Sequence, residues 1–108
     1  MLFQITSSVL EACVLAVLSR EETYGYKLTQ EIMQTAGISE STLYPVLRRL
    51  QQSGKLAVRD EPYMGRNRRY YSITENGTEQ YKLYKDEWEN YKKTIDNILE
   101  GVNDNDAK

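Results

Sequence analysis

The apolar positions change period along the chain, and each change marks an element. Val9–Leu18 (VLEACVLAVL) is apolar on nearly every side, interrupted by Glu11 alone. A helix of that kind is buried on more than one face. One face is expected to meet its own domain and another a partner chain, with Leu10 and Val14 on the partner side. In Thr23–Ala36, Tyr24, Leu28, Ile32 and Ala36 recur at every fourth position, which is one helical face. Thr23 is the expected cap of this second helix and Gly37 its terminating glycine. A third helix begins within Ser39–Ser41, where either serine can cap it. It buries Leu43, Val46, Leu47 and Leu50, and Gly54 supplies its stop. Pro45 falls near its first turn, where a missing N–H costs least. Only Gly37 and Ile38 lie between the second and third helices, so the pair reads as helix-turn-helix.

The period then drops to two. Leu56 and Val58 alternate with Ala57 and Arg59, Pro62–Asn67 is turn-like, and Arg68–Ile73 is rich in β-formers with Tyr71 and Ile73 on one face. Two strands around a basic loop make a hairpin, a wing. Thr74 caps a final helix with Glu75 in its first turn. Along it Tyr81, Tyr84, Trp88, Tyr91, Ile95, Ile98 and Val102 alternate spacings of three and four, the a/d seam of a heptad repeat. The fold class is therefore mainly α with a small β-hairpin: a winged helix-turn-helix over residues 1–73, a long C-terminal dimerisation helix over 74–102, and a polar, frayed tail over 103–108.

The seam has two possible covers, its own domain or a second chain. Three heptads extend about 33 Å, longer than the short remaining elements can sheath, so a homodimer is expected. The expected dimer interface is Leu10, Val14, Tyr81, Tyr84, Trp88, Tyr91, Ile95, Ile98 and Val102. Four consecutive seam positions are aromatic, whereas tight two-stranded seams prefer aliphatic residues. Either the aromatic half packs against the first helix, or it lines a wide pocket. In the second case Trp88, with Tyr84 and Tyr91, would bind a planar hydrophobic or cationic ligand.

Composition narrows the chemistry. At 108 residues and 28% charged, the chain reads as one soluble domain. The longest apolar stretch is half what a membrane span needs, no signal-peptide pattern opens the chain, and the single cysteine, Cys13, excludes a disulfide framework. The cytoplasm is the expected compartment, with no membrane partner. The chain has no histidine, which removes the commonest general base and metal ligand, so no enzyme, cofactor or metal is expected. The net charge of −2 speaks against nucleic acid, but its distribution does not. Residues 42–73 hold seven of the 14 cations and two of the 16 acids, a basic middle between acidic flanks.

That middle contains the third helix, whose N-terminal part in a helix-turn-helix faces base edges in the major groove. It exposes Ser41, Thr42, Tyr44 and Arg48, with Arg49 also a candidate; hydroxyls and arginine suit that task. The bland alternative is a capped, solvated surface helix. Arg66, Asn67 and Arg68 at the wing suit phosphates or a narrow minor groove, against the alternative of a hairpin end kept soluble by charge. Helix-turn-helix followed directly by a basic hairpin is more specific than either part.

Several short stretches, in this order and spacing, resemble the PadR family of bacterial transcription regulators: Tyr24-Gly25-Tyr26, Ser41-Thr42-Leu43-Tyr44-Pro45, Arg48-Arg49-Leu50 followed by Gly54, Gly65-Arg66, and Arg69-Tyr70-Tyr71 leading into Thr74 and Gly77. The similarity spans about Leu10 to Trp88, and the single C-terminal helix resembles the smaller subfamily. The resemblance implies a dimeric winged helix that usually represses. It implies that Tyr24, Tyr26, Ser41, Thr42, Tyr44, Pro45, Arg48, Arg66 and Arg68 lie near DNA, and Lys27 belongs to the same surface. It also implies that Trp88 matches the tryptophan with which multidrug-binding members flank a flat pore. The chain departs from the pattern at Ser41, where glycine is frequent before the Thr-Leu-Tyr run, and in the acidic Asp60-Glu61-Pro62. The expected function is a DNA-binding repressor, relieved by a planar ligand at the dimer interface. The alternative is a winged-helix protein-interaction module without sequence-specific DNA binding.

Overall fold

The computed structural model describes residues 2–101. Its elements are α1 (Ser7–Arg20), β1 (Thr23–Tyr24), α2 (Gly25–Ala36), α3 (Glu40–Gln52), β2 (Leu56–Tyr63), β3 (Arg66–Ile73) and α4 (Glu75–Glu100). The three strands form an antiparallel sheet in the order β1-β3-β2.

α1 is the hub. Thr6 Oγ1 accepts the Val9 N–H (3.3 Å) and starts it. Its own chain then covers it with α2, α3, α4 and β3. This corrects the expected dimer interface at two positions. Leu10 and Val14 are 1% and 0% exposed, inside a core shared with Leu28, Leu43, Leu47 and Leu50. The side of α1 assigned from the sequence to a partner is used up within the protomer.

Thr23 does not cap α2. It is buried and pairs with Tyr71 of β3, so Thr23-Tyr24 form a two-residue strand on the sheet edge. A β-branched residue suits that place. Gly37 ends α2 in the left-handed conformation (φ 69°), its N–H donating to the Met33 carbonyl at 2.8 Å. Ser39 stands at the N-terminus of α3, yet its hydroxyl meets those of Ser41 (2.9 Å) and Thr42 (3.1 Å) rather than a backbone N–H. Pro45 lies inside α3 past its first turn. The carbonyl it leaves without a donor is that of exposed Ser41, which water can satisfy.

The turn between the long strands is shorter than the sequence pattern suggests. β2 and β3 run in register from Leu56↔Ile73 to Tyr63↔Arg66, leaving only Met64 and Gly65 to turn the chain. Both have positive φ (49° and 78°), as a two-residue hairpin of matching twist requires. Pro62 sits within β2, on the outer strand of the sheet, where a missing donor is tolerated.

α4 is fixed at its start. Thr74 Oγ1 accepts the Gly77 N–H (2.9 Å) and donates to the Gly54 carbonyl (2.7 Å), while the Thr74 N–H reaches the Lys55 carbonyl (3.2 Å). Gly77 is buried, and a Cβ there would overlap the Lys55 carbonyl oxygen and press within 2.8 Å of Ile73. The helix runs 26 residues to Gly101, about 39 Å. Tyr81 and Tyr84 pack against the core; beyond them the helix leaves its own domain. Val102 and the tail 103–108 lie outside the described residues. No described helix is long and apolar enough to cross a membrane.

Candidate nucleic-acid interface

The helix-turn-helix presents the N-terminal part of α3 outward. Ser41, Thr42, Tyr44, Pro45 and Arg48 are all exposed, because Leu43, Val46, Leu47 and Leu50 point to the core. At the start of α2, Tyr26 is 72% exposed. Lys27 beside it is 3.9 Å from Glu21, both largely solvated, a pair too weak to hold either in place.

The middle of the chain is less basic toward solvent than its composition suggests. Arg49, Arg59 and Arg69 are engaged by carboxylates of the same chain. Arg59 binds Glu22 (2.6 Å) and Glu61, and stacks over Tyr70 (4.6 Å). Arg69 binds Asp60 (3.1 Å). Hydrogen bonds from Arg69 and Asn67 hold the Asp60 carboxyl below its usual range, and Arg59 does the same to Glu22. The acidic approach to the wing therefore neutralises inner cations of the ribbon. Among the described residues, Arg48, Lys55, Arg66 and Arg68 have no carboxylate within ion-pair distance. Within the basic middle of the chain, residues 42–73, Arg48 on α3 and Arg66 at the ribbon tip are the exposed cations without a carboxylate partner among the described residues.

Arg49 is engaged within its own chain. It follows Arg48 by one residue, about 100° round the helix, and donates to Glu11 Oε2 of α1 from Nε (3.4 Å) and Nη2 (3.3 Å). The other Glu11 oxygen accepts the Tyr84 hydroxyl of α4 (2.8 Å). Burial, and then the carboxylate beside it, push the Tyr84 phenol up to about 12. One carboxylate thus joins three helices, and Arg49 belongs to that joint. Glu11 was legible only as the lone charge in an apolar run; its partners lie 38 and 73 residues away.

The wing holds a second arrangement that the sequence did not disclose. The Arg68 guanidinium carbon lies 3.9 Å from the Tyr24 ring centre and 3.5 Å from that of Tyr63. Tyr24 also meets Tyr70 edge-on at 6.0 Å. Tyr63 was hidden in the stretch read as a turn. The two-residue turn places it opposite Arg66 and diagonal to Arg68.

On α4, Trp88 (46% exposed) and Tyr91 (59%) tilt toward one another at 6.0 Å, followed by exposed Ile95 and Ile98. Tyr84, expected beside them, is turned to Glu11. Cys13 is half-buried, and burial raises its thiol pKa.

Residues 14–83 match the family model described as the transcriptional regulator PadR-like family. A solved structure from Streptococcus mutans UA159 is 39% identical, with a TM-score of 0.85 over 94% of this chain and 95% of that one. A PadR-like transcriptional regulator from Bacillus cereus is 35% identical, with a TM-score of 0.75 over 84% of this chain and 91% of that one. An uncharacterized protein of Lysinibacillus sphaericus is 32% identical over 98 residues, covering 86% of this chain and 90% of that protein.

Proposed function

The chain belongs to the PadR-like family of transcriptional regulators, and on that premise we propose that it is a repressor that binds a specific duplex operator as a homodimer in the cytoplasm. The observation that carries this reading is a pair of free cations: the exposed N-terminal part of α3 presents Arg48 and the ribbon tip presents Arg66, each without a carboxylate partner among the described residues. The α3 hydroxyls and Arg48 read base edges; Arg66 grips phosphate or the minor groove. Two such surfaces are joined through the distal half of α4, where Trp88, Tyr91, Ile95 and Ile98 meet their copies. The paired indoles flank a gap for a planar hydrophobic or cationic ligand. Such a ligand relieves repression only if it binds the two arrangements of the heads with different affinity.

The test is a titration of duplex DNA from upstream of the protein's own gene at several salt concentrations. Arg48→Ala should weaken the cognate site by about 1–3 kcal/mol and leave non-cognate duplex nearly unaffected. Arg66→Ala should weaken both and flatten the salt dependence. Wild-type protein that binds cognate and random duplex equally would sink the operator reading. For the ligand, planar cationic dyes should quench the fluorescence of Trp88, the only tryptophan. Emission unchanged across a broad panel would leave the indole a structural group.

A further inference from the structure

We propose that Arg68 is a positioning residue, a clamp that fixes the wing against the helix-turn-helix, rather than a cation spent on phosphate. The proposal deepens the DNA-binding reading and rests on it. A guanidinium is planar and has two faces. Ring centres at 3.9 and 3.5 Å from its carbon put both Tyr24 and Tyr63 in cation–π contact with this one group, so the guanidinium bridges the two rings. The two rings come from different parts of the molecule. Tyr24 is the strand residue that leads into α2, and Tyr63 is the last residue of β2 before the Met64-Gly65 turn.

The neighbouring chemistry points the same way. Arg68 stands opposite Glu61 in the ladder, the carboxylate that would ordinarily take its charge, but Glu61 is engaged by Arg59. The Arg68 cation is therefore left to the π faces. β1 reaches only Tyr70 and Tyr71 of β3. Toward the tip, the ribbon has no further backbone partner among the described residues. The Tyr24–Arg68–Tyr63 stack extends the attachment beyond the last β1 pair and sets the position from which Arg66 acts.

Clamp and phosphate contact differ in what they predict. A phosphate contact contributes about 0.9 to the slope of log K against log salt; a clamp contributes nothing to it. We expect Arg68→Ala to lose roughly tenfold in cognate affinity, the cost of ordering a loosened ribbon on binding, and to keep the wild-type slope because Arg66 still reaches its phosphate once bound, whereas Arg66→Ala lowers the slope. Arg68→Lys keeps the charge but not the plane, and should behave as Arg68→Ala. Tyr63→Leu should reproduce the same loss without changing any charge, and Tyr63→Phe, which keeps the ring, should bind as wild type. In the free protein, amide hydrogen exchange across residues 60–69 should quicken roughly tenfold in Arg68→Ala. A slope lowered by about one unit in Arg68→Ala but not in Arg68→Lys would make Arg68 a phosphate ligand and overturn the clamp. Unchanged exchange across 60–69 would overturn it independently. If the wild-type chain binds no duplex at any salt, the regulatory reading fails instead, and the exchange measurement still decides whether the clamp exists.

Discussion

The winged body and the distal half of α4 solve the problem of apolar surface in opposite ways. In the body, Leu10, Leu15, Leu28, Leu43 and Leu50 are almost wholly buried, with α1 covered by elements of its own chain. Beyond Tyr84, α4 carries Trp88, Tyr91, Ile95, Ile98 and Leu99, all exposed. Scattered surface leucines need no explanation, but a run of large apolar residues along one helix marks an interaction site. The joint between the regions is specific: Thr74 and Gly77 fit against Gly54 and Lys55, and Tyr84 meets Glu11. One region is finished by its own sequence; the other is a projection held rigidly at its base.

Paired substitutions test that contrast. Leu28→Ala removes a side chain with 0% exposure and should cost about 2–5 kcal/mol, measured by urea unfolding and independent of protein concentration. Ile98→Ala removes a side chain that is 69% exposed and should cost the isolated chain less than about 0.5 kcal/mol. Its effect should grow with protein concentration if a second copy covers that face. Equal, concentration-independent costs would erase the distinction.

The joint comes next in size. Gly77→Ala places a methyl group against the Lys55 carbonyl and Ile73 and should destabilise by about 1–3 kcal/mol, lowering the thermal midpoint by several degrees. Ile95→Glu with Ile98→Glu tests the projection itself. The body should keep its fold by circular dichroism while sedimentation reports monomers, if the proposed dimer uses this face. A native chain that sediments as a monomer at micromolar concentration would refute the pairing outright.

The contrast also explains what could be read from the sequence and what could not. α2, α3 and α4 were legible because each carries a helical period and its own stop or cap, and α1 because its apolar run is long enough for a helix: Gly37, Gly54 and Thr74 act where their neighbours imply. Leu43, Val46, Leu47 and Leu50 fix which side of α3 faces outward, so its exposed residues followed directly. Most of the failures are matters of partners distant in sequence. α1 looks two-sided because it is covered from several sides by its own chain, which drew Leu10 and Val14 to a partner. Thr23 became a strand residue because β3 had a free edge, a fact absent from the local pattern. Arg49, Arg59 and Arg69 looked available because their carboxylates stand elsewhere in the chain or across a hairpin whose register was not known. Pro62 disguised the last residues of β2 as a turn, and so concealed Tyr63.

The smallest effect is confined to one hydroxyl at the joint. Tyr84→Phe keeps the ring against the core and removes the hydrogen bond to Glu11. Glu11 retains Arg49, so no charge is stranded, and the loss should be about 0.5–1.5 kcal/mol. Its pH dependence identifies the source. The folded protein favours the protonated phenol, because burial and the Glu11 carboxylate push Tyr84 up to about 12 from the ordinary phenol value of 10.0. The unfolded chain binds fewer protons than the folded one between those values, so stability falls as pH rises through the interval. The phenol's contribution is complete below about pH 10 and lost as the folded group itself ionises. Phenylalanine cannot titrate. The stability difference between wild type and Tyr84→Phe should therefore be flat from neutral pH to about 10 and shrink above it, measured as paired urea midpoints in one buffer series. A difference that stays constant to pH 12 would mean that the hydroxyl is not held by Glu11, and that at Tyr84 only the packing of the ring joins α4 to the body.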